Sequence, residues 1–356
     1  MSVVEAKKTL RDRFEYFVAR TLLKLSHDTL IRLSGKPQIV IDGQVLHPEM
    51  QFALTTRKRR RVPPLRARTA ELARSRMLAE SRRYAGEPLP LPVRDHTIPS
   101  HGHSLRARHY APPEAGGPHP LLVFFHGGGF ALGDLETHDE PCRLLAARAG
   151  VHVLSVEYRL APEHPFPAAI EDGEAAFQWA VENAASLGAD PERIGVGGDS
   201  AGGNISAVVS LLTGRSGNPP AYQLLIYPVL DNGNPWPSHQ FFGKGFLLEK
   251  ADIDFFDRCY LGGRTDLSRD ERVSPLRAAL PPSVPTVLVT AAFDPLRDEG
   301  EAYGALLERH GTPIVKRRFS GLIHGFIQMT SVSRAADEAV SDIAAMLRQA
   351  SRGGAA

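Results

Sequence analysis

A serine set between glycines offers the first recognisable chemistry. Gly198-Asp199-Ser200-Ala201-Gly202 follows the apolar run Ile194–Val196 and opens directly into the helix-forming run Ala201–Leu212. Glycines on both sides of a serine let the backbone reverse from strand to helix within a few residues, which lifts the hydroxyl above the edge of a sheet as a nucleophile. An ordinary glycine turn with a helix-capping serine shares the pattern; the strand before and the helix after favour the nucleophile. A second signal is Phe125-His126-Gly127-Gly128-Gly129-Phe130, just after the apolar run Leu121–Phe125. Three successive glycines leave backbone N–H groups unshielded, as stabilisation of a developing oxyanion requires. A phosphate-binding loop would need G-x-x-x-x-G-K-[ST], or G-x-G-x-x-G with an acidic residue about 20 positions on, and neither is present. The two loops together read as acyl transfer.

A serine hydroxyl is a weak nucleophile until a base takes its proton, so a histidine and an orienting carboxylate must be found. In the chain order Ser…Asp/Glu…His the acid closes a late strand. Asp294 closes Thr286–Phe293 and is followed by Pro295; His324 follows the run Ile314–Phe319 within Gly321-Leu322-Ile323-His324-Gly325-Phe326. Asp298 and Glu299 are rival acids, but at the start of a helix beginning near Arg297 their charge is accounted for by the helix dipole. The chain has 14 histidines. His101, His103, His109 and His119 read as solvated loop or strand residues, and His126 as a hydrogen-bonding support for the glycine loop beside Gly127. No metal-binding spacing such as H-E-x-x-H occurs, so no metal is expected.

These residues need a scaffold, and the chain from about residue 91 supplies one. Strand-like runs at Val93–Ile98, Leu105–Tyr110, Leu121–Phe125, Val151–Val156, Ile194–Val196, Gln223–Tyr227, Thr286–Thr290 and Ile314–Phe319 are interleaved with helical windows at 137–149, 166–187, 201–213, 298–310 and 332–349. This alternation predicts an α/β fold with a mostly parallel sheet of about eight strands covered on both faces, because parallel strands need crossovers and helices fill them. The first two runs adjoin without a helix, which predicts an antiparallel edge. Residues 231–284 break the rhythm and read as a cap segment over the carboxyl edge of the sheet. Trp236, Phe241, Phe242, Phe246, Phe255 and Phe256 lie there, as core or as an acyl-pocket lining.

Residues 1–90 read as an N-terminal arm and helical cap, and 91–356 as the catalytic domain. Leu10, Phe14, Phe17, Thr21 and Leu25 form one helical stripe ended by Gly35 and Pro37, an arm that packs on its own body, on a second subunit, or on a membrane surface. A second helix is expected over 69–84, with Ala70, Ala73, Met77 and Tyr84 on one face. The basic run Arg57–Arg61 before Pro63-Pro64 reads as a solvated loop, since it lacks the interleaved aromatics of a nucleic-acid footprint.

With 42 Lys plus Arg against 40 Asp plus Glu, the 356-residue chain carries a net charge of only +2, too weak a field for nucleic acid to be its partner. Two cysteines, Cys142 and Cys259, exclude a disulfide scaffold. No run reaches the ~18 apolar residues of a membrane span, and charges interrupt the N-terminus too often for a signal peptide. A cytoplasmic protein acting on a small molecule is expected; a homodimer is the one assembly left open.

His126-Gly127-Gly128-Gly129, Gly198-Asp199-Ser200-Ala201-Gly202-Gly203, Asp294-Pro295-Leu296 and His324-Gly325-Phe326 together resemble the hormone-sensitive-lipase-like (family IV) esterases of the α/β-hydrolase fold, in their GDSAG subgroup. The resemblance extends to Tyr158-Arg159-Leu160-Ala161-Pro162-Glu163-His164-Pro165-Phe166-Pro167-Ala168 and covers about residues 90–335. It implies Ser200 as nucleophile, His324 as base, Asp294 as orienter, and the N–H groups of Gly128, Gly129 and Ala201 as the oxyanion hole. It also implies a cofactor-independent serine carboxylesterase acting on short- to medium-chain esters. An amidase or deacetylase could use the same triad, and hormone-receptor relatives of the same fold bind a small molecule after losing the histidine, which is retained here. The arm before residue 35 is longer than the family pattern implies.

Overall fold

A computed structural model describes residues 10–22, 24–114, 117–279 and 283–353. Residues 1–9 of the arm and 280–282 of the 231–284 segment lie outside the described residues. The N-terminal part consists of α1 (Leu10–Leu22), α2 (His27–Ser34), a short hairpin β1 (Val40–Ile41) and β2 (Gln44–Val45), α3 (Pro48–Arg59) and α4 (Ala70–Tyr84). There follow β3 (Val93–Ser100), β4 (His103–Tyr110), β5 (His119–Phe125), α5 (Asp139–Ala149), β6 (His152–Glu157), α6 (Ala168–Asn183), β7 (Ala189–Asp199), α7 (Ala201–Arg215) and β8 (Gln223–Ile226). After α8 (Pro237–Phe242) and α9 (Lys250–Leu261) come β9 (Thr286–Phe293), α10 (Arg297–Arg309), β10 (Ile314–Ile323) and α11 (Arg334–Ser351).

Strands β3 to β10 form one eight-stranded sheet in the order β10-β9-β8-β7-β5-β6-β4-β3. β3, β4 and β6 pair antiparallel and the other neighbours pair parallel. Side chains alternate across a strand, and β5 shows why its sequence is apolar throughout. Leu122 and Phe124 enter the core shared with α5 and α11, whereas Leu121, Val123 and Phe125 enter the core shared with α6 and α7. The chain crosses from one half of the sheet to the other at β5, which lies between β6 and β7. In open α/β sheets, ligands bind beyond the carboxyl ends of strands at such a switch point.

The N-terminal part departs from the sequence reading in three places. The arm is two helices, not one, because the Ser26 side chain accepts a hydrogen bond from Thr29 N and starts α2 afresh. Gly35 ends α2 in the left-handed conformation, with φ 68°. Of the three surfaces expected for the α1 stripe, the chain's own body is the one it does not chiefly pack on, with Leu10, Phe14 and Phe17 at 86%, 67% and 67% exposure. Ion pairs from Asp12 and Glu15 to Arg83 and from Glu15 to Arg60 turn the other side of α1 onto its own body. The basic run is likewise no free loop. Arg57 to Arg59 form the last turn of α3, where the helix dipole favours cations; Arg57 pairs with Glu80, and Arg59 donates to the carbonyls of Leu33 and Ser34.

Polar ties join this region to β10, to α11 and to the loops beyond the strands. Glu49 accepts from Ser333 Oγ at 2.6 Å and from Ala335 N at 3.2 Å, and His47 N donates to Gly321 O at 2.9 Å. On the other side, Arg74 of α4 donates to the carbonyls of Ala131 and Ala161 and pairs with Glu163.

His109 also departs from expectation: it is buried, with Nε2 2.9 Å from His152 Nδ1 and His96 stacked edgewise. Burial, reinforced by His152, His96 and Arg94, pushes His109 down to about 3, and burial also lowers His152 and His96. An unfolded histidine titrates near 6.5, so on acidification the unfolded chain takes up protons first. The contribution of His109 is therefore complete above about pH 6.5 and is lost as pH falls from there toward 3, by up to about 1.4 kcal/mol per pH unit, and His152 and His96 act in the same direction. Asp257, raised to about 6 by burial, acts in the opposite sense. Comparing the wild type with His109→Phe cancels that contribution: between pH 7 and pH 5 the wild type should lose more Tm than the variant. Parallel Tm–pH curves would contradict the assignment.

Candidate active site

Strand register brings the two glycine-flanked loops together. Phe125 at the end of β5 lies opposite Gly198 near the end of β7, so His126–Gly129 and Ser200 emerge side by side. The turn at Ser200 is strained for a residue with a side chain, at φ 55° and ψ −117°. Its N–H is tied to Ile226 O at 2.8 Å. A Cβ on Gly202 would stand 1.8 Å from Phe125 O, so the second glycine of the motif is fixed by close approach of α7 to β5.

The same logic places the candidate base and acid. Ile323 pairs with Phe293 after an irregularity in β10 that gives it two more residues than β9 between paired positions. Asp294 and His324 are thus the next residues beyond two neighbouring strands. His324 Nδ1 lies 2.7 Å from Asp294 Oδ2, and His324 Nε2 lies 3.0 Å from Ser200 Oγ. Asp294 is fully buried, and its other oxygen accepts from Leu296 N at 2.8 Å. A carboxylate can only accept, so Nδ1 carries the proton and Nε2 is left to receive one from the serine. The rival acids are engaged elsewhere: Asp298 accepts from Ser238 N at 2.8 Å, and Glu299 from Leu230 N at 2.7 Å. Burial lifts Glu299 well above the usual carboxylate range.

Gly127, Gly128 and Gly129 border the pocket into which Ser200 opens. Gly129 has φ 60°, and a Cβ there would meet the Phe256 ring at 2.2 Å. Ala201 begins α7, so its N–H is among those with no partner inside the helix. His126 is buried, stacked on Tyr158 at 4.4 Å, and its Nδ1 lies 2.9 Å from Gly127 O. Burial next to His138 lowers His126 to about 4, so the ring is a neutral donor to that carbonyl.

Asp199, noticed in the sequence only as part of the serine motif, joins the two loops. Its Oδ1 accepts from Gly127 N at 2.8 Å and lies 3.3 Å from His138 Nε2. Burial alone would raise this carboxyl, yet His138 and the Gly127 N–H outweigh it and hold Asp199 below its ordinary range. His138 in turn contacts Gln328 at 3.2 Å, four residues past His324. No spacing in the sequence links His138 to either loop; the fold alone does. Of the aromatic residues singled out in the 231–284 segment, Phe256 lines the pocket, Phe242 and Phe246 pack on Phe293 in the core, and Phe241 is 43% exposed. Among the described residues no group of three or more His, Cys, Asp or Glu side chains could hold a metal ion. No helix among them is long and apolar enough to cross a membrane.

Residues 122–328 match the sequence model of a family described by its alpha/beta hydrolase fold. The chain belongs to the α/β-hydrolase family, in its hormone-sensitive-lipase-like branch. It is 43% identical to the carboxylic ester hydrolase LipN of Mycobacterium tuberculosis, over 89% of this chain and 86% of that protein. An ethyl acetate hydrolase of Pseudomonas putida is 36% identical over 84% of this chain and 96% of its own length. Among solved structures, the ester hydrolase EH1AB1 from a Lake Arreo metagenome, complexed with a bipyridine phosphonate derivative, superposes with a TM-score of 0.81 at 39% identity. The match covers 85% of this chain and 98% of that one.

Proposed function

We propose that this α/β-hydrolase is a serine carboxylesterase that cleaves short- to medium-chain carboxylic esters through an acyl-enzyme on Ser200. The observation that carries the reading is the continuous hydrogen-bonded line from Asp294 through His324 to Ser200, at 2.7 and 3.0 Å, beside a loop of three glycines. Ser200 Oγ attacks the ester carbonyl as His324 Nε2 takes its proton. The carbonyl oxygen, now negative, is held by the N–H groups of Gly128, Gly129 and Ala201, and Asp294 stabilises the imidazolium. His324 then protonates the leaving alkoxide, and water repeats the sequence on the acyl group. His126 and Gly127 support the glycine loop.

The helical residues before 90 and the segment 231–284 act as a cap: Leu65 and Met77 from the first and Phe256 from the second line the pocket around Ser200. That pocket, about 110 Å³, suits a short to medium acyl group. Cys142 and Cys259 are free thiols, which suits a reducing, cytoplasmic setting.

A fluorophosphonate probe is expected to label Ser200 and no other serine in the wild-type protein, and labelling should vanish in His324→Ala. A binding protein without an activated serine would not label. On matched ester and amide substrates, kcat/KM should favour the ester; preference for the amide would replace esterase by amidase or deacetylase as the reading.

A further inference from the structure

A second chamber opens off the pocket at Ser200. The two share Leu65, Met77, Leu132, Leu247, Gly325 and Gln328 as wall residues, so the chambers adjoin along that wall. The second chamber is the larger, about 650 Å³ against about 110 Å³, and its walls are mainly apolar. Its roof is α1, through Val18 and Leu22, and its sides are Leu54 of α3 and Tyr84 of α4. The ion pairs of Asp12 and Glu15 with Arg83 and Arg60 hold that roof at its edge.

The chemistry of the leaving step assigns an occupant to this space. The alkoxide must take its proton from His324 Nε2, so the alcohol departs beside the loop that carries His324. His324 itself lines the small pocket, Ile323 beside it lines the large chamber, and Gly325 and Gln328 line both, so the loop of the histidine forms the border between the two. Asn232, Asp257 and Phe256 line the small pocket alone. We infer that the preferred substrates are esters of a large, apolar alcohol with a short to medium acid, the alcohol lying under α1. This rests on the esterase reading above and narrows it. The arm, longer than the family pattern implies, thereby becomes a specificity element.

Two series of esters test the inference on the full-length protein: acetates of ethyl, butyl, hexyl and octyl alcohol, and methyl esters of acetic, butyric, hexanoic and octanoic acid. Each CH₂ that enters an apolar wall adds up to about fourfold in kcat/KM. Octyl acetate should therefore exceed ethyl acetate by at least about 100-fold, while methyl esters should level off or decline beyond the hexanoate. A continuing rise in the methyl series with none in the acetate series overturns the inference, as does an acetate series flat beyond butyl. Ala19→Trp on α1 and Ala79→Trp on α4, both at the chamber wall, should each lower the octyl-to-ethyl ratio at least tenfold. An unchanged ratio in both variants, each still labelled by the fluorophosphonate, overturns it too; where one variant fails to fold, the other and the wild-type series decide. Absence of hydrolysis of every ester, ethyl acetate included, would instead sink the esterase reading itself.

Discussion

Ser200→Ala is expected to lower kcat for ester hydrolysis by about 10⁶-fold, with KM little changed. The reason is geometric: the hydroxyl is the one group that both opens into the glycine-lined pocket and stands 3.0 Å from an imidazole nitrogen free to accept its proton. His324→Ala should cost about as much, because an un-ionised serine attacks poorly even in a formed oxyanion hole. The double variant should be no worse than either single one, since the residues act as a unit. Residual activity of about 10³–10⁴ over the uncatalysed rate would persist from the glycine-loop amides and from binding. The measurement is kcat on purified variants with an activated ester, with contaminating wild-type enzyme titrated out by the fluorophosphonate. Retention of even a tenth of wild-type activity by Ser200→Ala would remove the nucleophile from the mechanism.

Much of this was legible in the sequence because loops at strand ends inherit their positions from register. Strands buried on both faces announce themselves as unbroken apolar runs, as Leu121–Phe125 does, and glycine clusters mark where the backbone must turn or approach closely. Ser200, Asp294 and His324 each follow such a run, so a parallel sheet in the right order had to bring their loops to one edge. His138 has no such signal. It reaches Asp199 at 3.3 Å only because the start of α5 passes under the glycine loop, a juxtaposition that neither period nor spacing encodes. The orientation of the α1 stripe was hidden for a related reason. Apolar residues three and four apart specify a helix with an apolar face, but which face turns inward was decided by Arg60 and Arg83, distant in sequence, pairing with Asp12 and Glu15. Likewise the histidines near residue 109 read as solvated, since nothing local shows that β4 runs beside β6 and seals His109 against His152.

Asp294→Asn provides the sharpest discrimination among the acids, with an expected loss of about 10⁴ in kcat. The change is nearly isosteric, so its effect must come from hydrogen-bond polarity. In the wild type one oxygen of Asp294 accepts from Leu296 N at 2.8 Å and the other accepts from His324 Nδ1 at 2.7 Å. An asparagine has a single acceptor oxygen, and the buried Leu296 N–H requires it. The amide NH₂ is then directed at Nδ1, which can receive it only by giving up its own proton. The proton moves to Nε2, the atom facing Ser200, and a protonated Nε2 cannot act as base. Asp298→Asn makes the control: that carboxylate accepts from Ser238 N and pairs with Arg297, away from the histidine, so kcat should stay within about tenfold of wild type. Equal losses in the two variants, or a mild effect at Asp294, would mean that His324 takes its orientation from some other group, and the imidazole's tautomer would no longer be set by β9.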